Sequence, residues 1–203
     1  MQKKYLTELE QSRLLLGVSK VADPLAQRDY HWIAALILTG MRVQEFSRLT
    51  VPMVQQALAG GWLVSPKEHC KGGKRGNEYL VTARLRTHLE ALVKLSHELG
   101  AGCVVPEAGQ PLVWGRDVAG IAGPLSVRSY EARLKHWAVH AQLDARISPH
   151  WLRHTHLTTP TAAQLSELLN QISACSTRGH QIRIKVGSGF VVRSGTTLDW
   201  LKP

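Results

Sequence analysis

The sequence lacks several features that would place it in a specialised class of protein. It has 203 residues, but no apolar run is long enough to cross a bilayer, and no signal peptide is recognisable. Internal repeats and low-complexity tracts are missing as well. The only three cysteines, Cys70, Cys103 and Cys175, fit neither a disulfide framework nor a metal site. We therefore expect a folded protein of the reducing cytoplasm, without a metal or another cofactor.

Acidic residues are scarce relative to basic ones. The chain has 25 lysines and arginines against 15 aspartates and glutamates, which gives a formal net charge of +10 at pH 7. So basic a folded chain favours a polyanionic partner, most simply a nucleic acid. An anionic membrane surface is the competing partner, but no predicted helix gathers the basic residues opposite an apolar face, as membrane binding would require.

Apolar periodicity and capping residues predict a mostly helical chain. The predicted helices lie at 7–16, 23–40, 41–49, 84–100 and 126–141, from 148 onward, and after 159. In the helix at 126–141, Tyr130 belongs to an apolar stripe with helical spacing, so we expect it to be a packing residue. Two β-hairpins are predicted as well, from strands at 60–65 with 78–82 and at 181–186 with 190–193. The expected fold class is therefore mainly α with a small antiparallel β-sheet.

The segment from Ile147 to His154 combines several features that attract a phosphate. Ser148 suits a helix N-cap, and Pro149 suits the first helical position. His150 and Arg153 then fall on one face of the first turn, where the helix dipole and free N–H groups favour an anion. The alternative is an ordinary surface helix with a solvated arginine and a chance histidine.

Two other basic elements suit the same chemistry. Arg42 lies at the start of the helix predicted at 41–49, and Lys71 lies in the Gly-rich turn of the first hairpin. Two arginines can stabilise the negative charge of a pentavalent phosphoryl transition state, while a lysine and a histidine can transfer protons. No carboxylate pair or His/Asp cluster suggests a metal, so the predicted chemistry is metal-free phosphoryl transfer. A flexible solubilising loop is the alternative role for the hairpin turn, whose basic residues are Lys71, Lys74 and Arg75.

Three motifs in this order resemble the catalytic domain of the tyrosine recombinase, or phage integrase, family. They are Thr39-Gly-Met-Arg-Val-Gln-Glu45, the Lys-Gly-Gly-Lys hairpin turn, and Ser-Pro-His-Trp-Leu-Arg-His-Thr155. The resemblance runs from about residue 5 to residue 155 and leaves 156–203 divergent, within what we expect to be one domain over 1–203. It implies catalytic roles for Arg42, Lys71, His150 and Arg153. It also implies that Glu45 has a structural role and holds the helix that begins at Arg42.

The resemblance also implies partners and a setting. Double-stranded DNA is the expected substrate, with Lys71, Lys74, Arg75 and Arg128 as candidate DNA contacts and a possible homo-oligomer on the DNA. The chain begins directly at the catalytic domain, as do short stand-alone members that invert fimbrial switches. A mobile-element recombinase in a bacterial cytoplasm, associated with the nucleoid and not with a membrane, is the expected setting.

This chain departs from the family's pattern at the nucleophile. Family members carry a tyrosine downstream of His-x-x-Arg, but this chain has tyrosines only at positions 5, 30, 79 and 130. In one alignment Gly179-His180 is the family's Gly-His, and the tyrosine would fall near Phe190. In the other, which we prefer, His180 occupies the place of the tyrosine. An ordinary surface histidine is the simpler role for His180.

The expected function is DNA binding with site-specific strand cleavage and rejoining, impaired in cleavage because the tyrosine is missing. A non-catalytic DNA-binding regulator or recombination accessory factor is the main alternative. A hydrolase in which water replaces the phenol is a further one. The last 50 residues are either a genuine replacement of the family's C-terminal part or the product of a reading-frame change.

Overall fold

The computed structural model describes residues 4–70, 72–73, 75–103, 106, 109–116, 122–158, 183–186 and 190–193. Its helices are α1 (Glu8–Ser19), α2 (Pro24–Thr39), α3 (Val43–Phe46), α4 (Val51–Gly60), α5 (Ala83–Leu99), α6 (Val127–His140) and α7 (Pro149–Thr158). Its strands are β1 (Trp62–Ser65), β2 (Asn77–Leu80), β3 (Trp114–Arg116), β4 (Ala122–Pro124), β5 (Arg183–Val186) and β6 (Phe190–Arg193).

Local capping signals confirm most of the predicted helix boundaries. Thr7 and Glu10 form both hydrogen bonds of a capping box at the start of α1. The Asp23 side chain accepts from the N–H of Ala26 at the start of α2, and Gly40 ends that helix with a φ of 60°. Because these signals act within a few residues, the sequence alone is enough to place them.

Two elements differ from the prediction. Helix α3 covers only Val43–Phe46, a single turn, whereas a helix over 41–49 was expected. Helix α4 was not predicted, since its stretch has no charged residue to mark a polar face. Its buried face is formed by Val51, Val54 and Ala57, and Gly61 ends it with a φ of 79°.

The described strands form three antiparallel pairs. The predicted hairpins are confirmed as β1 with β2, where Ser65 lies opposite Asn77, and as β5 with β6, where Val186 lies opposite Phe190. The pair of β3 with β4 was not predicted, because strands of three residues carry too little alternation to be recognised. The mainly helical fold class with small antiparallel pairs is thus observed.

The chain divides into two compact units, residues 1–156 and residues 157–203. The expected single domain over 1–203 stays a prediction. The helix predicted after Thr159 and the C-terminal tail lie outside the described residues. Within the described ranges, no helix is both long and apolar enough to span a membrane.

Helix α3 packs on the hydrophobic core of the first unit. Tyr130 of α6 is 1% exposed, and its ring makes edge contacts with Trp32 of α2 and with Phe46 of α3. Tyr130 is therefore a packing residue, as its helical spacing predicted. Phe46 is 1% exposed and packs on Tyr130 of α6, which in turn contacts α2, so α3 is held in place despite its short length.

Candidate active site

Arg42 is the N-cap of α3 and lies two residues after Gly40, which has a left-handed backbone conformation. Its Nη1 donates to Oε1 of Glu45 at 2.9 Å, while 41% of its side chain is exposed. Glu45 itself is fully buried. The guanidinium is thus oriented by a charge beneath it and still faces solvent, which an anion-binding group requires.

Glu45 also connects Arg42 to the first hairpin. Its second oxygen, Oε2, accepts from the Asn77 amide at 3.1 Å and from the Tyr79 hydroxyl at 2.8 Å. Burial, reinforced by this bond to Glu45, raises the pKa of Tyr79, so the phenol stays protonated and keeps donating. The structural role expected for Glu45 therefore extends to β2, the strand that returns from the basic turn.

Sequence analysis missed Asn77 and Tyr79. They lie two positions apart in β2, so both side chains project from the same face of the strand. Their spacing in the strand could have predicted that Asn77 and Tyr79 contact the same residue. Nothing in the sequence indicated that the partner would be Glu45.

Arg153 approaches the same turn from α7. Its Nη1 donates to the carbonyl oxygen of Gly40 at 2.5 Å, and Gly40 precedes Arg42 by two residues. The positive charge of Arg153 also acts on Tyr79, which is bonded to Glu45. The two arginines, far apart in sequence, are thereby attached to the two ends of one short turn.

His150 lies within the field of both arginines. Partial burial lowers its pKa first, and the nearby charges of His154, Arg153, Lys4 and Arg42 lower it further. The imidazole is consequently neutral near pH 7. Its Nε2 lies 2.8 Å from Nε2 of His154, so one ring of this pair donates and the other accepts. Sequence analysis gave His154 no role, although it follows His150 at the spacing of one helical turn.

The structure therefore brings together three of the predicted site residues, Arg42, His150 and Arg153. Lys71, Lys74 and His180 lie outside the described residues. Arg75 and Arg128 are exposed, and the contacts of the described residues do not connect either of them to the two arginines. Over the same residues, no group of three or more His, Cys, Asp or Glu side chains could hold a metal ion.

The four tyrosines occupy different environments. Tyr130 is enclosed in the core, and the Tyr79 hydroxyl is bonded to Glu45. Tyr30 packs by its ring edge against His31 and His88. Tyr5 is 39% exposed and precedes Leu6, whose N–H donates to Oγ1 of Thr155 at 2.8 Å. All four precede His150 in the chain, so none is a tyrosine downstream of Arg153.

Comparison with known proteins identifies the family. The sequence profile of the Phage integrase family matches residues 4–168. The chain belongs to this family. The match extends beyond residue 155, where the motif resemblance stopped, into the part that the motifs left unassigned.

Individual relatives agree with this assignment. The chain is 28% identical over 182 residues to tyrosine recombinase XerC of Bacillus subtilis (strain 168), and the match covers 86% of this chain and 54% of that protein. It also resembles the crystal structure of XerA recombinase, with a TM-score of 0.56 and 20% identity over 86% of this chain and 58% of the other. The fold is that of a tyrosine recombinase catalytic domain.

A second curated relative has a different name. The chain is 38% identical over 86 residues to tRNA(Ile)-lysidine synthase of Polaromonas naphthalenivorans (strain CJ2), which covers 42% of this chain and 24% of that protein. The chain thus spans about a quarter of one curated relative and about half of the other.

Proposed function

We propose that this protein binds double-stranded DNA and holds one backbone phosphate between Arg42 and Arg153, as a tyrosine recombinase does at a site of strand exchange. The observation that carries the proposal is the hydrogen bond from Arg153 to the carbonyl of Gly40, two residues before Arg42. A shared anion is the simplest partner for two guanidinium groups attached to one turn. The net charge of +10 supports a polyanionic ligand.

The chemistry of such a site follows from its side chains. Each arginine offers several N–H donors in a planar fork that matches phosphate oxygens. Among the described residues, one Nη of each arginine donates to a protein acceptor, Glu45 for Arg42 and Gly40 for Arg153. His150, neutral near pH 7, can accept or donate a proton beside the phosphate. Lys71 would protonate the leaving 5′-oxygen.

Cleavage by this chain alone is proposed to be impaired. A phosphoryl transfer that conserves the energy of the broken bond needs a protein nucleophile, and the sequence has no tyrosine after Arg153. His180 is the remaining candidate in the preferred alignment, with an ordinary surface role as its alternative. Assembly as a homo-oligomer on DNA and a place at the bacterial nucleoid belong to the same proposal.

A covalent-trapping experiment tests the impairment. A duplex selected from a random pool for tight binding is nicked at successive positions, so that any cleavage becomes irreversible and leaves the protein attached. We expect retarded DNA but no covalent adduct on a denaturing gel. An adduct would overturn the impairment, and Tyr5→Phe and His180→Ala would then locate the nucleophile.

The main alternative is a non-catalytic DNA-binding regulator or recombination accessory factor, favoured by the missing tyrosine. In that case Arg153→Ala would reduce DNA affinity only modestly, because the protein would contact many phosphates without concentrating on one. Nicking without an adduct, abolished equally by Arg42→Ala and Arg153→Ala, would instead indicate hydrolysis by water.

A further inference from the structure

His156 is a partly buried histidine in α7 that the proposed chemistry does not use. Its Nδ1 lies 3.1 Å from the carbonyl oxygen of Ile37, in the last turn of α2. A carbonyl only accepts, so Nδ1 carries the proton and donates. Burial lowers the pKa of His156; the hydrogen bond to Ile37 raises it by less, and the charge of Arg153 lowers it further, so the ring is neutral near pH 7.

The same ring lies against Gly40. A Cβ atom built on Gly40 would come within 2.5 Å of Cδ2 and 2.9 Å of Cγ of His156, closer than real Cβ contacts. Gly40 also has a φ of 60°, which side chains rarely adopt. The glycine is thus required both by the turn and by the imidazole that occupies the space of its missing side chain.

Arg153 and His156 touch the end of α2 one helical turn apart. Arg153 donates to the carbonyl of Gly40, and His156 donates to the carbonyl of Ile37, three residues earlier. Both contacts join α7 to the segment that leads into Arg42. Moving the ring of His156 would shift α7 against this segment, and Arg153 would move with it.

We infer that His156 is a positioning residue: its ring, seated on Gly40, sets the separation between α7 and the start of α3, and so the spacing of Arg153 and Arg42. The hydrogen bond to Ile37 orients the ring. His156 does not itself bind the phosphate and acts through the backbone at the end of α2. The inference rests on the proposed function for its consequence in DNA binding, but its geometric part is independent of that function.

The geometric part can be tested without DNA. In protein labelled with ¹⁵N-arginine, a guanidinium held by a backbone carbonyl rotates slowly and gives resolved Nη signals, and Arg153→Lys identifies the one from Arg153. We expect the Nη signals of Arg153 to average into one in His156→Ala, because the imidazole that packs on Gly40 is removed and Arg153 is no longer held at the Gly40 carbonyl. His156→Phe keeps the ring and is expected to preserve the signal. His136→Ala, which removes an exposed histidine of α6, serves as the matched control and should change nothing.

DNA affinity supplies the second readout. Binding of a 30-base-pair duplex, measured by fluorescence anisotropy, is expected to weaken severalfold in His156→Ala, to remain near wild type in His156→Phe, and to weaken no further when His156→Ala is added to Arg153→Ala. The inference is overturned if His156→Ala leaves the Arg153 signal intact, or if His156→Phe loses it as fully as His156→Ala. If the signal behaves as expected but Arg153→Ala does not affect DNA binding, the positioning role stands and the proposed function fails.

Discussion

Two buried carboxylates, Asp29 and Glu45, each accept hydrogen bonds from arginine, but Arg28 on Asp29 is buried whereas Arg42 on Glu45 is partly exposed. Asp29 in α2 accepts from five donor groups, supplied by Arg28, Trp32, Arg133 and Trp137. Glu45 in α3 accepts from Arg42, Asn77 and Tyr79. The Arg28 side chain is 4% exposed, whereas the Arg42 side chain is 41% exposed.

The difference separates an arginine that holds the fold from one that can bind a ligand. Nη1 of Arg28 donates to the carbonyl oxygen of Trp114, which joins α2 to β3. Among the described residues, the hydrogen bonds of Arg42 and Arg153 each use one Nη, to Glu45 and to Gly40, and 41% of the Arg42 side chain remains exposed. A buried carboxylate beneath an arginine is therefore not a sign of function by itself, since Asp29 holds both Arg28, which is 4% exposed, and Arg133, which is 32% exposed.

The largest expected effect comes from the enclosed network. Asp29→Asn keeps the shape of the side chain but leaves Arg28 buried without a counter-charge, so we expect a loss of about 3–5 kcal/mol in the free energy of unfolding. Urea denaturation followed by circular dichroism measures it. Asp144→Asn, which breaks an exposed pair with Arg146, should leave the denaturation midpoint within error of the wild type. Equal midpoints for the two variants would remove the distinction drawn between the networks.

The exposed network should respond in DNA binding. If Arg42 and Arg153 hold the same phosphate, Arg42→Ala or Arg153→Ala alone should weaken binding but change the slope of log K against log salt concentration little, because the other guanidinium still neutralises that phosphate. Both variants should weaken binding more than Arg146→Ala, whose guanidinium is paired with Asp144 on the surface. Anisotropy titrations at several salt concentrations measure the slopes. The double variant should lower the slope by about 0.9, whereas a fall of about 0.9 in each single variant would place the two guanidinium groups on separate phosphates.

The link between Glu45 and the hairpin gives a smaller effect. Tyr79→Phe removes one hydrogen bond to a buried carboxylate and should destabilise the protein by about 1–2 kcal/mol in urea denaturation. The exposed fraction of Arg42 should stay the same, since its own bond to Glu45 remains. DNA affinity should consequently fall less than in Arg42→Ala, and a loss as large as in that variant would mean that Tyr79 itself contacts the ligand.

The smallest effect is a dependence of stability on pH away from the site. Nδ1 of His31 and Nδ1 of His88 lie 2.9 Å apart, and burial together with His88 lowers the pKa of His31 to about 4. The unfolded chain therefore binds more protons between about pH 6.5 and pH 4, and stability should fall as the pH decreases through this window. We expect Tm to drop by a few degrees from pH 7 to pH 5. His31→Asn should flatten this dependence, and an unchanged slope in the variant would assign it to other groups.

Sequence reasoning was most successful where the determinants are local. The capping box at Thr7 and the glycine stop at Gly40 depend on neighbours within one helical turn, and both were predicted. The contact of Arg153 with Gly40 joins residues 113 positions apart, and only the order of the motifs suggested it. Sequence analysis did not predict that Asn77 and Tyr79 donate to Glu45, because this depends on how β2 packs on α3. It did not predict the packing of His156 on Gly40 either, because this depends on how α7 meets the end of α2.

The joint action of the two arginines can be measured most directly by a double-mutant cycle. DNA binding is compared for the wild type, Arg42→Ala, Arg153→Ala and the double variant, at one low salt concentration. If both arginines bind the same phosphate, the double variant should lose clearly less affinity than the sum of the two single losses, by about 0.5–3 kcal/mol. Losses that add within experimental error would contradict the account, because they would place the two guanidinium groups on separate anions.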